Sequence, residues 1–249
     1  MNKAPLVTLA FWVIKIAATT LGETGGDALS MSEKLGYAVS TGIFFAIFVI
    51  LLAAQVASRR FIPLLYWAVI IATTTCGTTL SDFLTRSAGL GYLWASILLF
   101  AMVMAVLLVW RLVVGTVSVN RIATPRVELF YWTAILFSNT LGTALGDATA
   151  DTTGLGYEGG ALVFAGVLVV IAAAYFWTRI SHTVLFWSAF ILTRPLGATL
   201  GDLLTKPHAD GGLGLSRIDS SLIIAAFIIV CILLTSQKPE HPAEQHGSA

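Results

Sequence analysis

Four aspartates, Asp27, Asp82, Asp147 and Asp202, each stand five residues after a glycine and close an apolar stretch long enough to cross a bilayer. A carboxylate in such a place is costly unless a partner or a water-filled cavity offsets the cost. Residues four apart keep one helix face, with a drift of roughly 40° per step. On that face lie Lys15, Thr19, Glu23 and Asp27 in the first copy, and Thr74, Thr78, Asp82 and Arg86 in the second. The third copy has Asn139, Thr143, Asp147 and Asp151, and the fourth Arg194, Ala198, Asp202 and Lys206. Lipid cannot solvate such a face, so it looks inward at protein or water.

These residue types suit a cation or proton pathway. Within the motif helices, Glu23, Asp27, Asp82, Asp147 and Asp202 stand against only Lys15 and Arg194. If all ionise, negative charge is in excess, so either some acids stay protonated or a cation binds. Thr19, Thr78, Asn139 and Thr143 supply neutral oxygens, and Lys15 and Arg194 serve as tethered counter-charges. The face holds no His, and Cys76 points elsewhere, so hard cations (Na⁺, Mg²⁺, Ca²⁺, Mn²⁺) or protons are expected rather than soft metals. Two structural alternatives compete. The aspartates would cap Gly-rich turns at the membrane surface, and Arg194 would pair with an acid of another repeat.

A second stripe lies beside the first: Gly22 and Gly26, Gly77 and Ser81, Gly142 and Gly146, Gly197 and Gly201. Small residues four apart let membrane helices approach closely. The alternative is a helix broken at Gly, with freed carbonyls facing an ion; Pro195 and the Gly22–Gly26 region favour that locally.

The elements that position these residues recur. Each copy opens on an aromatic-Trp pair, Phe11-Trp12, Tyr66-Trp67, Tyr131-Trp132 or Phe186-Trp187, expected to form an interfacial aromatic belt. Leu35-Gly36-Tyr37, Leu90-Gly91-Tyr92 and Leu155-Gly156-Tyr157 close the first three copies, and Leu213-Gly214-Leu215 the fourth. Successive aspartates are 55, 65 and 55 residues apart. The chain therefore divides into repeats 1 and 2 (1–110), a central linker (111–126), repeats 3 and 4 (127–236) and a polar tail (237–249) expected to be disordered.

Apolar runs such as Ile43–Ala57 and Leu93–Trp110 give each repeat a second, almost purely apolar helix. The expectation is an all-α integral membrane protein of eight transmembrane helices, with the Gly/Asp-bearing helices central and the apolar ones outside. Composition agrees: 57% hydrophobic and 11% charged, mean hydropathy +0.88. A net charge of +1 without a basic stripe gives no sign of nucleic acid. Arg59-Arg60, Arg111, Arg121, Arg126, Arg179, Lys3 and Lys238 share one side, which places both termini in the cytoplasm. Cys76 and Cys231 offer neither disulfide framework nor metal spacing. His182, His208, His241 and His246 read as solvated.

The aromatic-Trp start, Gly-x4-Asp and Leu-Gly-Tyr resemble a family of prokaryotic membrane-anchored proteins defined by a tandem repeat of unknown function, over residues 5–236. The resemblance implies an integral inner-membrane location and says little about activity. From the residues themselves, the leading expectation is a secondary transporter with the bilayer and a small cation or proton as partners. It has no cofactor beyond a bound cation, and a homodimer is compatible with the same pattern. The alternative is a non-transporting scaffold or accessory subunit. No nucleophile elbow, phosphate loop or His-rich metal motif supports an enzyme.

Overall fold

A computed structural model describes residues 3–58, 60–117, 124–235 and 237. Expectations resting on Arg59, Arg121, Lys238, His241, His246 and the rest of the tail lie outside the described residues. The described chain forms eight α-helices and no strand. They are α1 (Leu9–Asp27), α2 (Tyr37–Ala57), α3 (Pro63–Asp82), α4 (Gly91–Val114), α5 (Pro125–Thr152), α6 (Gly156–Trp177), α7 (His182–Thr205) and α8 (Arg217–Leu234).

Local chemistry sets the boundaries. The Thr8 hydroxyl accepts from the Phe11 N–H at 3.3 Å, and Thr124 from Val127 at 3.4 Å, satisfying donors that a helix start leaves open. Pro63 and Pro125 occupy the first turns of α3 and α5, where a missing N–H costs nothing. The recurring Leu-Gly has its own explanation. Gly36, Gly91, Gly156 and Gly214 have φ of 78°, 67°, 63° and 65°, a left-handed backbone that a Cβ would strain. They turn the chain from the first helix of each repeat into the second.

Six helices are long and apolar enough to cross a membrane on their own. The exceptions are α1 and α5; α1 carries Lys15, Glu23 and Asp27 in a single helix. The apolar windows of α2, α4, α6 and α8 are each 17% buried, against 72% for α3 and 61% for α7. Apolar side chains that face away from protein need lipid, so this is a membrane protein with α2, α4, α6 and α8 on its outside.

The four motif helices pack in a closed ring, α1 on α3, α3 on α5, α5 on α7 and α7 on α1. Two helices per repeat keep them parallel. Each outer helix packs on the motif helix of the following repeat: α2 on α3, α4 on α5, α6 on α7, and α8 back on α1. The glycines line the ring contacts. A Cβ on Gly77 would lie 3.0 Å from the Thr140 backbone nitrogen, and one on Gly146 3.2 Å from the Pro195 carbonyl oxygen. Gly22 and Gly26 face Thr74 and Thr78, Gly142 faces Arg194, and Gly197 and Gly201 face Thr19 and Glu23. Close packing is therefore the role of this stripe. The motif helices run unbroken past their glycines, and α7 continues through Pro195.

The aromatic-Trp pairs differ from expectation. Trp67 and Trp132 are 1% exposed, so the interfacial-belt reading does not hold for them. Each pair meets the next repeat instead: Phe11 on Trp67 at 5.5 Å, Tyr66 on Trp132 at 5.4 Å, Tyr131 on Trp187 at 6.3 Å, and Phe186 on Trp12 at 5.8 Å. Hydroxyls of Tyr66 and Tyr131 bond between the neighbouring helices α3 and α5 at 2.6 Å. The outer helices shield this end from lipid, and the rings close it by mutual packing.

Candidate functional site: a charged column inside the helix ring

Residues four apart on the motif helices form layers across the ring, all of them buried. Beyond the aromatic layer come Lys15, Ile70, Ile135 and Phe190. Next are Thr19, Thr74, Asn139 and Arg194, then Glu23, Thr78, Thr143 and Ala198, and last the four aspartates. The aspartate end lies opposite the aromatic closure.

In the deepest charged layer, the Lys15 ammonium sits 4.1 Å above the Phe190 ring and donates to Asn139 Oδ1 at 3.4 Å. The Asn139 amide donates to Thr73 at 3.0 Å. Among the described residues no carboxylate lies within ion-pair distance of Lys15. One layer nearer the mouth, Arg194 donates to Glu23 Oε2 at 2.9 Å and to the Thr78 hydroxyl, while Thr78 sits 3.3 Å from the same Glu23 oxygen. Arg194 thus pairs with an acid of another repeat. Its Nε and Nη1 are buried and unbonded.

At the mouth, the aspartates are bridged in two pairs by bases four residues after Asp82 and Asp202. Arg86 lies 3.4 Å from Asp82 Oδ1 and 3.3 Å from Asp147 Oδ2. Lys206 lies 3.0 Å from both Asp202 Oδ1 and Asp27 Oδ2. Arg217, at the start of α8, is 3.6 Å from Asp27 Oδ2. Burial disfavours charge on Lys206, yet Asp202 and Asp27 outweigh it and hold its ammonium above the ordinary lysine range. Each base links a repeat to its neighbour in the ring.

The motif tyrosines complete three corners. Arg86 donates to the Tyr37 hydroxyl at 3.2 Å and to that of Tyr92 at 3.4 Å, and Tyr92 donates to Asp151 at 2.6 Å. Tyr157 lies within the field of Asp202. Tyr37 and Tyr92 thus stand at the Arg86 that bridges Asp82 and Asp147, and Tyr157 stands near Asp202. In the fourth repeat, Leu215 leaves that place without a phenol.

The structure brings together Glu23, Asp27, Asp82, Asp147, Asp202, Thr78 and Arg194. Other predicted ligands are engaged elsewhere. The Thr19 hydroxyl donates to Ile16 and Thr193 carbonyls at 2.8 and 3.2 Å, Thr143 to that of Asn139 at 3.3 Å, and Asn139 serves Lys15. The expected excess of negative charge also fails, because Arg86, Lys206 and Arg217 come in from the connecting turns. Only their convergence in three dimensions shows this, although Arg86 and Lys206 already stand on the acidic face at helical spacing.

Three of the carboxylates also converge on one another. Glu23, Asp147 and Asp202 each offer a carboxylate oxygen within 4.8 Å of the others. Asp27 Oδ1 and Asp147 Oδ1 are buried and accept no hydrogen bond. Three converging carboxylates, one of them with an unbonded buried oxygen on Asp147, match what a hard cation or a shared proton requires.

Four consecutive segments, residues 10–61, 65–116, 130–181 and 185–237, match one family model, described as Repeat of Unknown Function (DUF347). No curated protein and no solved structure matches the chain.

Proposed function

We propose that this chain, which belongs to the DUF347 repeat family, is a multi-pass membrane transporter, secondary in type, that moves a hard cation or is coupled to protons through its ring of carboxylates. The observation that carries this reading is the convergence of Glu23, Asp147 and Asp202, with the buried Asp147 Oδ1 left without a donor. Paired acids alone would make a structural core; an unspent, buried carboxylate oxygen beside two other acids invites a ligand.

Charge balance constrains the mechanism. A cation entering a neutralised cluster must displace a base or a proton. Lys15 and Arg194 are fully buried in mid-helix, so they stay where they are. Arg86, Lys206 and Arg217 sit at the rim, with side chains 32%, 12% and 24% exposed, and are the counter-charges an entering cation meets first. Lys3, Arg60, Arg111, Arg126 and Arg179 flank the aromatic end, which favours an inner (plasma) membrane protein with cytoplasmic termini and an aspartate mouth facing outward. The reading requires no catalytic group.

The test is thermal stability of purified wild type, Asp147→Asn and Glu23→Gln in Na⁺, Mg²⁺, Ca²⁺, Mn²⁺ and across pH. A ligand that binds only the folded state at a hundred times its Kd stabilises by about 2.7 kcal/mol. The expected result is a rise for one cation or pH range that Asp147→Asn abolishes, followed by flux of that ion in proteoliposomes. The second reading, a non-transporting scaffold, is favoured by the basic partner found for every one of the five acids. Its mark is equal behaviour in all cations, with the substitutions harming only assembly.

A further inference from the structure

The four corners of the aspartate ring are unequal. Arg86 is held at its corner by Asp82, Asp147, Tyr37 and Tyr92 together. At the seam between the fourth and first repeats the phenol is missing, since Leu215 stands where Tyr37, Tyr92 and Tyr157 stand in their repeats. A cavity of about 610 Å³ opens at the surface there, lined by residues that include Ser32, Thr205, His208, Leu215 and Arg217. Arg217 belongs both to the cavity wall and to the ring, through its contact with Asp27. That contact is the longest ion pair of the site, and among the described residues Arg217 has no second carboxylate. Asp27, directly behind it, keeps Oδ1 buried and unbonded.

We propose that the seam between repeats 4 and 1 is the route by which water and hard cations reach the carboxylate ring, with Arg217 as the side chain that opens it. A guanidinium leaving Asp27 needs solvated space beside it, and the cavity supplies that space at this corner. Arg86, tied to two carboxylates and two phenols, has no comparable release. Lys206 stays with Asp202 and Asp27 while Arg217 moves, so Asp27 is never stripped of both its bases at once. The naming of a cation rests on the transport reading; the route for water does not.

The experiment measures how fast a charged, water-soluble methanethiosulfonate modifies Asp27→Cys in the full-length protein, after Cys76→Ala and Cys231→Ala remove the native thiols. Ser30→Cys, one turn further on, serves if Asp27→Cys does not fold. Leu215→Tyr restores the missing phenol and is expected to slow modification about tenfold, about 1.4 kcal/mol of added barrier. Leu215→Ala, which removes bulk, leaves the rate at or above its starting value. Equal rates with and without Leu215→Tyr overturn the route. If wild type shows no cation-dependent stabilisation but Leu215→Tyr still slows labelling, the transport reading fails and the route stands. If stabilisation is present and labelling is unchanged, the reverse holds.

Discussion

At the scale of single residues, Arg194 and Glu23 test how this column tolerates charge. Both are buried in the middle of parallel helices, and removing one partner of a buried pair costs about 3–5 kcal/mol because the other is left uncompensated. Arg194→Leu is therefore expected to lower stability by about 3 kcal/mol, and adding Glu23→Gln to recover more than half of that loss. Unfolding titrations of the two single variants and the double variant check this; strictly additive losses would refute the pairing. Much of the column is legible in the sequence, because a spacing of four puts Lys15, Glu23 and Asp27 on one face. Arg86 is on that face too. Its role depends on a π-helical turn, Phe83–Ser87, which returns the side chain to its own aspartate and to the next repeat's. Nothing in the local pattern announces that turn. Arg217 is further from reach, since it meets Asp27 only because α8 folds back on α1.

At the scale of elements, the small residues decide how closely neighbouring helices lie. A Cβ on Gly197 would collide with the Thr19 side chain and lie 2.8 Å from its backbone carbonyl carbon. Gly197→Ala is expected to cost about 1–3 kcal/mol, the usual range for overpacking. Gly166, on the outer face of α6, has nothing within 4 Å, so Gly166→Ala should leave stability within about 0.5 kcal/mol of wild type. Apparent melting temperatures of the two variants separate a packing stripe from a merely glycine-rich composition. The helices and the small-residue stripe are readable from periodicity alone. The aromatic-Trp pairs are not, because an aromatic near a helix end has the same local signature whether it meets lipid headgroups or a neighbouring helix. Trp67 and Trp132 are settled by the neighbouring motif helices, whose Phe11 and Tyr66 pack on them.

At the scale of the molecule, the repeats form a cycle that the chain enters and leaves at one point. Because α7 closes on α1 and α8 covers α1, no repeat is terminal in space. A circular permutant that joins residue 237 to residue 3 through a flexible linker, and opens the chain between 117 and 124, is expected to assemble. It should also match the parent's apparent melting temperature in each salt tested. Size-exclusion profiles and the stability assay check this, and aggregation with either of two linker lengths would count against ring closure. Cyclic order is a tertiary property, so four matched repeats in the sequence suit a row as well as a ring. The parallel arrangement has one more consequence. Each helix carries about half a negative charge at its C-terminal end from its aligned peptide dipoles. Four such ends gather about the axis at the aspartates, while the four outer helices begin at the same end further out, and their N-termini offset part of that field. Inverted repeats would cancel this contribution, whereas here it accumulates. The motif helices stand nearer the axis than the outer ones, so the part of this field that survives at the aspartates is negative and favours a positive over a negative guest even where every carboxylate has its base.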